Sequence, residues 1–396
     1  MRAARLHATW DPKPEFKLGP KDVDGRLTYL GSLVWRNPEL RIEEVPVPEP
    51  ADDEVLIEVK RCGICGSDVH MAQTNEWGYI WYPGLTAFPA TLGHEFSGVV
   101  VKAGKDAFNK RTNQPYEEGE PVTVEEMVWC GQCTPCCDGY PNHCERLQEI
   151  GFSIDGAYAK YITVPAKLCW SLRKLEKKVK DVFAAGSLVE PTSVAYNAVI
   201  ERGGGIRPGQ NVVVLGGGPI GLAAVAILKK AGAAVAIVSE PEAGRRKLAK
   251  KLGADVTINP QEEDFATRVL EETDGEGASL YLEATGLPHV VQPQIQEAIW
   301  NSKEINATEV VVARSEHDMP LKAEYFQVRR ARVVGSQGHS GHGTFRYVIN
   351  AMASGMDVTP MITKSITLDE VGDWLKRLQT DREQCKVSVD LSKETA

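Results

Sequence analysis

Residues 212–232, VVVLGGGPIGLAAVAILKKAG, pass from apolar β-formers through a glycine turn into an alanine-rich helix former. Strands covered on both faces lose the polar alternation of half-exposed ones, so this order opens a strand–helix unit of a buried parallel sheet. The unit recurs downstream. Residues 233–240 (AAVAIVSE) read as a second strand, and 245–254 (RRKLAKKLGA) as a basic helix closed by Gly253. Residues 255–260 (DVTINP), 279–286 (SLYLEATG), 307–314 (ATEVVVAR) and 331–338 (ARVVGSQG) supply further strands, with 266–275 (ATRVLEETDG) a helix between them. Such alternation predicts an α/β fold with a doubly wound parallel sheet over residues 197–338.

Gly216, Gly218 and Gly221 set G-x-G-x-x-G between the first strand and its helix. The first glycine permits the tight turn, the second lets backbone approach a pyrophosphate, and the third lets helix and strand pack closely. Free N–H groups at the start of the helix then face the phosphates. A glycine turn alone is common; its position after a strand is what gives it weight. Glu240 ends the next strand 19 residues after Gly221, where an acid holds a ribose 2′-OH and repels a 2′-phosphate. NAD is therefore expected over NADP, with Arg245 and Arg246 close by as the countervailing signal. The candidate cofactor residues are Gly216, Gly218, Pro219, Ile220, Gly221, Glu240, Arg245 and, after the fourth strand, Thr285.

The first half is written differently. Residues 40–50 (LRIEEVPVPEP), 54–64 (EVLIEVKRCGI), 96–104 (FSGVVVKAG) and 120–127 (EPVTVEEM) are short strands separated by Pro and Gly, as in a barrel-like β domain. Three domains of sequence follow: a β domain over 1–196, the nucleotide domain over 197–338, and a return segment over 339–396. In the last, residues 345–355 and 368–379 read as amphipathic helices packing back on the first domain.

Two metal sites are expected. Residues 130–144, CGQCTPCCDGYPNHC, space Cys130, Cys133, Cys136 and Cys144 as C-x2-C-x2-C-x7-C. Four close thiols in turn-rich sequence suit a closed tetrahedral structural zinc lobe, spanning about residues 125–147. Cys137 is an extra thiol beside the third position. The absence of proline after the fourth cysteine departs from the iron–sulfur pattern. Upstream, Cys65 in GICGSDVH and His94 with Glu95 in TLGHEFSG offer thiolate, imidazole and carboxylate. Three mixed donors leave a fourth position open, which is the composition of a catalytic zinc, a Lewis acid able to acidify a hydroxyl. Ser67 and His70 follow Cys65 at a spacing suited to carrying a proton to solvent.

The formal charge of −9 argues against a nucleic-acid partner, and 42% hydrophobic with 25% charged residues is ordinary for a globular protein. No apolar run approaches a membrane span, and MRAARLHATWDPKPEF lacks the apolar core of a secretory signal. A cytoplasmic protein is expected.

In chain order, GICGSDVH, GHEFSGVV, CGQCTPCCDGYPNHC, EPTSVAYNAV and LGGGPIGLAAV resemble the zinc-dependent medium-chain dehydrogenases/reductases over essentially the whole chain. The resemblance is to the polyol branch, which includes sorbitol and threonine dehydrogenases. It implies a GroES-like β-barrel catalytic domain beside a Rossmann domain, and two zinc ions and NAD per chain. It further implies Cys65, His94 and Glu95 as ligands, Ser67 and His70 as relay, the four cysteines on structural zinc, and a homodimer or homotetramer. Glu190 matches a glutamate that this branch places at the catalytic metal. Because Zn²⁺ with one thiolate and Glu95 is already neutral, Glu190 is expected as an exchangeable or water-bridged ligand; the plainer reading is a helix-start carboxylate before Pro191.

Residues 11–34 interrupt the first hairpin, and residues 74–89, TNEWGYIWYPGLTAFP, carry Trp77, Tyr79, Trp81, Tyr82 and Phe88. Aromatic faces suit a ring with apolar C–H faces and a hydroxyl rim; equally they suit a subunit interface or a cover for the barrel. Residues 335–345, GSQGHSGHGTF, set His339 and His342 after the last predicted strand, either at the ligand crevice or in a helix-entry loop. The long N-terminal hairpin, residues 187–209 (SLVEPTSVAYNAVIERGGGIRPG) and residues 333–345 (VVGSQGHSGHGTF) resemble bacterial dehydrogenases that oxidise a keto-inositol to a diketone with NAD⁺. A small-molecule polyol or cyclitol substrate is thus implied, with a sorbitol- or threonine-type open-chain substrate as the alternative. A non-catalytic NAD-binding or zinc-storing protein is the remaining rival, one that would need neither the open donor set nor the relay.

Overall fold

A computed structural model describes residues 1–23, 26, 28–315, 317–339, 341 and 343–394. It divides into two compact units: Met1–Glu190 with Ile362–Ala396, and Pro191–Met361.

The first unit is built on a seven-stranded sheet. In order across it run Cys169–Ser171, Pro121–Val124, Glu95–Ala103, Glu54–Gly63, Lys386–Asp390 and Ile362–Ile366, with Tyr161–Pro165 also pairing to Glu54–Gly63. Only the Ile362–Ile366 and Lys386–Asp390 pair is parallel. Shifts of register at Leu56/Ile57 and Val59/Arg61 break the pairing of Glu54–Gly63 with Glu95–Ala103; such bulges bend and twist a sheet so that it can curl on itself. Inside lie Val55, Ile57, Val59, Phe96, Val122, Val164, Val387 and Val389, all buried. β-branched side chains on a pleated, covered face are what strand propensity amounts to.

The interrupted hairpin forms as expected. Arg2–Trp10 pairs antiparallel with Trp35–Glu44, leaving residues 11–34 between them. That insert and residues 74–89 share a small core of their own, in which Val34, Trp35 and Ile80 are buried against Trp10, Phe16, Tyr82 and Phe88. Trp35 meets Trp10 edge-on at 5.1 Å and Phe88 at 5.2 Å. Of the five aromatics in the second segment, Tyr79 is buried while Trp77 and Trp81 stay exposed.

The second unit carries a wholly parallel six-stranded sheet, ordered Val256–Ile258, Ala236–Ser239, Val212–Leu215, Leu280–Glu283, Thr308–Val311, Arg332–Gly335. In chain order this is 3-2-1-4-5-6, which places the reversal of strand order beside Val212–Leu215, where such sheets bind ligands. The first two strands of the unit are buried at every position, which explains their unbroken apolar sequence.

The domain boundaries fall elsewhere than the sequence suggests. The units part at 190/191 rather than 196/197, and the chain returns at Ile362 rather than residue 339. The helix Thr344–Ala353 accordingly stays with the second unit. It buries Phe345, Val348, Ile349 and Met352 there, and Tyr347 stacks on Tyr196 at 6.0 Å. Its amphipathic pattern announced a buried face but not its partner. Among the described residues no helix is long and apolar enough to cross a membrane.

The second unit also hides an acid. Glu309 is fully buried, and its Oε2 accepts a hydrogen bond of 2.8 Å from Gln292 Nε2. Burial, helped by nearby Glu283, pushes its carboxyl from 4.5 up to about 7. A folded-state pKa raised above the unfolded one means stability that is full below the unfolded value and lost as pH rises through about 7. Glu309→Gln, a mimic of the protonated acid, is expected to raise stability at pH 8 by up to about 3 kcal/mol and to change it little near pH 4. Urea titrations of both proteins at the two pH values measure this.

Candidate active site and metal centres

The sulfur lobe assembles as its spacing predicts. The Sγ atoms of Cys130, Cys133, Cys136 and Cys144 all lie within 4.8 Å of one another. Cys137 is exposed and stands outside this convergent set. Backbone amides turn toward the sulfurs: Cys130 N–H and Arg146 N–H donate to Cys144 Sγ, both at 3.3 Å, and Gln132 N–H to Cys130 Sγ at 3.4 Å. The Gln132 amide leads in pulling the Cys130 thiol down to about 6. Amides aimed at sulfur stabilise thiolate, the form a metal binds.

The mixed donors also converge. Ligand atoms of Cys65, His94 and Glu95 lie within 4.8 Å of one another. Cys65 caps the helix Gly66–Ala72, with the Asp68 amide turned to its sulfur and Asp68 Oδ2 accepting from its own backbone N–H at 2.9 Å. Glu95 opens the strand Glu95–Ala103, and His94 precedes it. Gly63 lies opposite, where a Cβ would come within 2.2 Å of Glu95 Oε2.

Two buried residues that sequence reasoning overlooked stand behind these donors. Asp68 is inaccessible; its Oδ2 also accepts from Tyr158 OH at 2.9 Å, and its Oδ1 faces His94 Nδ1 at 3.7 Å. A carboxylate behind a ligating imidazole fixes the ring's orientation and raises its basicity. Burial opposes charge on His94, yet Asp68, then Cys65 and Glu190, outweigh it and hold the imidazole well above its ordinary pKa. This set of buried anionic groups asks for a cation, and the residues present fit a divalent metal. The signal for Asp68 was its place three residues after Cys65, the capping-box spacing.

Lys386 is the second. Its ammonium is buried, donates to Glu95 Oε1 at 2.7 Å and Ile64 O at 3.0 Å, and lies 2.6 Å from Glu95 Oε2. Burial disfavours its charge, but Glu95 overrides that and keeps Lys386 protonated far above neutrality. It sits 291 residues away in sequence, so no local pattern could have shown it. Its charge changes the count made from the sequence: with Glu95 offset by an ammonium, a metal here is less fully neutralised by protein groups.

Glu190 lies in the first turn of the helix Val189–Tyr196 and is buried. It falls outside the compact trio; its carboxylate comes within 4.8 Å of the Glu126 carboxylate, another buried acid that the sequence reading passed over. Ser67 Oγ is buried with no hydrogen-bond partner among the described residues, whereas the His70 side reaches solvent. Desolvation and then Arg382 hold His70 below its ordinary pKa.

In the second unit the glycine turn has the geometry its spacing asks for. Gly216 adopts φ +102°, and a Cβ on Gly221 would meet Gly216 O at 2.0 Å. A Cβ on Gly218, the Ncap of helix Pro219–Lys230, would meet nothing within 4 Å. That open space above amides at a helix start is a cradle that fits a pyrophosphate. Ile220 follows Pro219 in the first turn of this helix. Glu240 is buried, its Oε2 accepting from Gly217 N–H at 2.6 Å and its Oε1 from Glu242 N–H at 2.9 Å. Arg246 is spent on the Glu240 carbonyl at 2.8 Å, while Arg245 packs against the place a Gly217 Cβ would take. Thr285 donates to Glu283 Oε1 through its amide at 2.7 Å and its hydroxyl at 2.6 Å, which orders the loop beyond strand Leu280–Glu283. His339 is buried, with its ring edge-on to Phe345 at 4.9 Å and its carbonyl taken by Thr344 Oγ1. It thus lies in the helix-entry loop; His342 lies outside the described residues.

Comparison with known proteins places the chain among zinc-binding dehydrogenases. The profile of the alcohol dehydrogenase GroES-like domain matches residues 51–174, and that of the zinc-binding dehydrogenases residues 219–354. The scyllo-inosose 3-dehydrogenase of Thermotoga maritima is 64% identical over 392 residues, covering 98% of this chain and 99% of that protein. The L-threonine 3-dehydrogenase of Pyrococcus horikoshii is 38% identical over 253 residues, covering 64% and 68%. A solved Thermotoga maritima structure, 64% identical, superposes with a TM-score of 0.97 over 98% of this chain and 99% of that one.

Removing one partner of a buried ion pair strands the other charge. Lys386→Ala is expected to destabilise the protein by about 3–5 kcal/mol, read from urea unfolding, and to lower zinc content. Lys386→Arg, which keeps the charge, is expected to recover most of both.

Proposed function

The chain belongs to the zinc-dependent medium-chain dehydrogenase family, and from that premise we propose that it is an NAD-dependent cyclitol dehydrogenase. It oxidises a secondary ring hydroxyl of scyllo-inosose to the diketo-inositol, reducing NAD⁺ to NADH and releasing one proton. The identity of 64% to scyllo-inosose 3-dehydrogenase, over nearly the whole of both chains, supports the substrate. The observation that carries the chemistry is the convergence of Cys65, His94 and Glu95, with Asp68 and Lys386 buried behind two of them.

Cys65, His94 and Glu95 would hold the catalytic zinc, with Glu190 as an exchangeable or water-bridged fourth protein donor. Cys130, Cys133, Cys136 and Cys144 would hold the structural ion. When bound, zinc supplies Lewis acidity to a substrate hydroxyl, and NAD⁺ supplies the hydride acceptor. The protein does the rest. Asp68 and Lys386 keep the imidazole and carboxylate oriented. Ser67 Oγ, buried and with no hydrogen-bond partner among the described residues, accepts the hydroxyl proton as it releases its own toward His70, which passes one to solvent. The amides around Gly216 and Gly218 receive the pyrophosphate, Pro219, Ile220, Arg245 and Thr285 line the dinucleotide, and Glu240 exchanges its Gly217 contact for the adenosine ribose. A homodimer or homotetramer is the assembly proposed.

NADH formation from scyllo-inosose, myo-inositol, sorbitol and L-threonine with NAD⁺ and NADP⁺ tests the assignment. Turnover of a cyclitol with NAD⁺ is expected; activity confined to threonine or sorbitol would overturn the cyclitol reading. His70 adds a pH signature. Because its pKa is depressed, it stays a neutral proton acceptor down to acid pH, and oxidation should fade only as pH drops through that lowered value. His70→Asn is expected to cut kcat on the order of 10–100-fold and to erase this acid limb.

A further inference from the structure

Trp81 is 49% exposed, yet its backbone is tightly held. The Trp81 amide donates to His70 O and to Gln73 O, both at 3.0 Å, and the Tyr82 amide donates to His70 O at 3.2 Å. On one side Ile80 N–H bonds Trp35 O at 3.1 Å; on the other Ala87 N–H bonds Phe152 O at 3.0 Å. Ile80 is buried in the small aromatic core. An indole carried on such a backbone presents a fixed apolar face to water, and a large apolar surface held in the open is a feature of contact sites.

Its place is specific. The Trp81 indole lies 6.2 Å from the His70 imidazole at an angle of 49°. The next side chain, Tyr82, packs on Phe152 at 5.2 Å, and Phe152 packs on His94 at 4.6 Å. One loop therefore touches the helix that bears the proton path and, through Phe152, the imidazole proposed to bind the metal. Ring centroid distances between 4.5 and 7 Å are those of genuine aromatic packing. The exposed indole stands beside the imidazole proposed to pass the proton to solvent.

We infer that Trp81 is a specificity-determining residue whose indole face takes the C–H face of a cyclitol ring beside His70. The inference rests on the cyclitol reading above. A six-membered ring whose hydroxyls are equatorial carries axial C–H bonds on both faces, and each face is flat and apolar. An indole meets such a face by dispersion and area burial, while the hydroxyl rim stays free for polar partners. An open-chain polyol has no such face and must freeze several bonds to imitate one. Trp81 would thus favour rings over open chains.

The test compares wild type with Trp81→Ala, Trp81→Phe and Trp77→Ala on scyllo-inosose, myo-inositol and sorbitol with NAD⁺, with zinc content measured throughout. Trp81→Ala is expected to raise the cyclitol KM by about tenfold or more, with kcat changed less, and to leave sorbitol kinetics nearly unaltered. Trp81→Phe should keep the cyclitol KM within about threefold because it keeps an aromatic face. Scyllo-inosose should quench indole fluorescence in wild type and in Trp77→Ala, and the quench should vanish in Trp81→Phe. An unchanged cyclitol KM in Trp81→Ala, or an equal loss on ring and open-chain substrates at full zinc content, would overturn the role of Trp81 while leaving the cyclitol reading intact. A wild-type enzyme inert toward every cyclitol would instead overturn that reading, and this inference with it.

Discussion

The buried pair between Lys386 and Glu95 is the constraint on which the first unit turns. An ammonium and a carboxylate are both taken out of water, at a cost that only close pairing and further hydrogen bonds offset. Here both carboxylate oxygens lie within 2.7 Å of the ammonium, and Ile64 O takes another of its protons. The lysine arrives on strand Lys386–Asp390, which pairs with Glu54–Gly63, and that strand in turn pairs with the one opened by Glu95. The pair therefore ties the end of the chain to the donor set.

Asp68 does the same for His94 by local means. Its carboxylate caps the helix that begins at Cys65 and faces the imidazole from behind, so a single side chain orders two of the three donors. This division has a physical logic. A metal site needs its ligands fixed before the ion arrives, because each free rotor must be frozen on binding. His94 is steadied by the Asp68 carboxylate and Glu95 by a long-range ion pair, while the cap position orients the thiolate of Cys65.

The second unit shapes its glycine turn with backbone groups. Gly216 at φ +102° and the contact between Gly221 and Gly216 O leave room only for glycine, so amides rather than side chains face the cradle. Glu240 is held by the backbone N–H groups of Gly217 and Glu242. An acid kept in this way stays ready to accept from a ribose hydroxyl and repels a phosphate in its place.

Much of this was legible in residue order. Strand–turn–helix grammar from Val212 to Gly335 determined the parallel sheet, because buried strands and tight turns admit few residue types. Cysteine spacing determined the sulfur lobe, since ligands so near in sequence have little freedom to part, and Cys65, His94 and Glu95 could be picked out by donor chemistry. What only the tertiary structure decided involves partners remote in sequence or surfaces with two uses. It brought Lys386 to Glu95 across 291 residues, kept helix Thr344–Ala353 with the second unit, and sorted the aromatic loop into packed Tyr82 and Phe88 and exposed Trp81. The reason is that sequence encodes which faces must be covered, while which neighbour covers them is settled by sheet order and chain return.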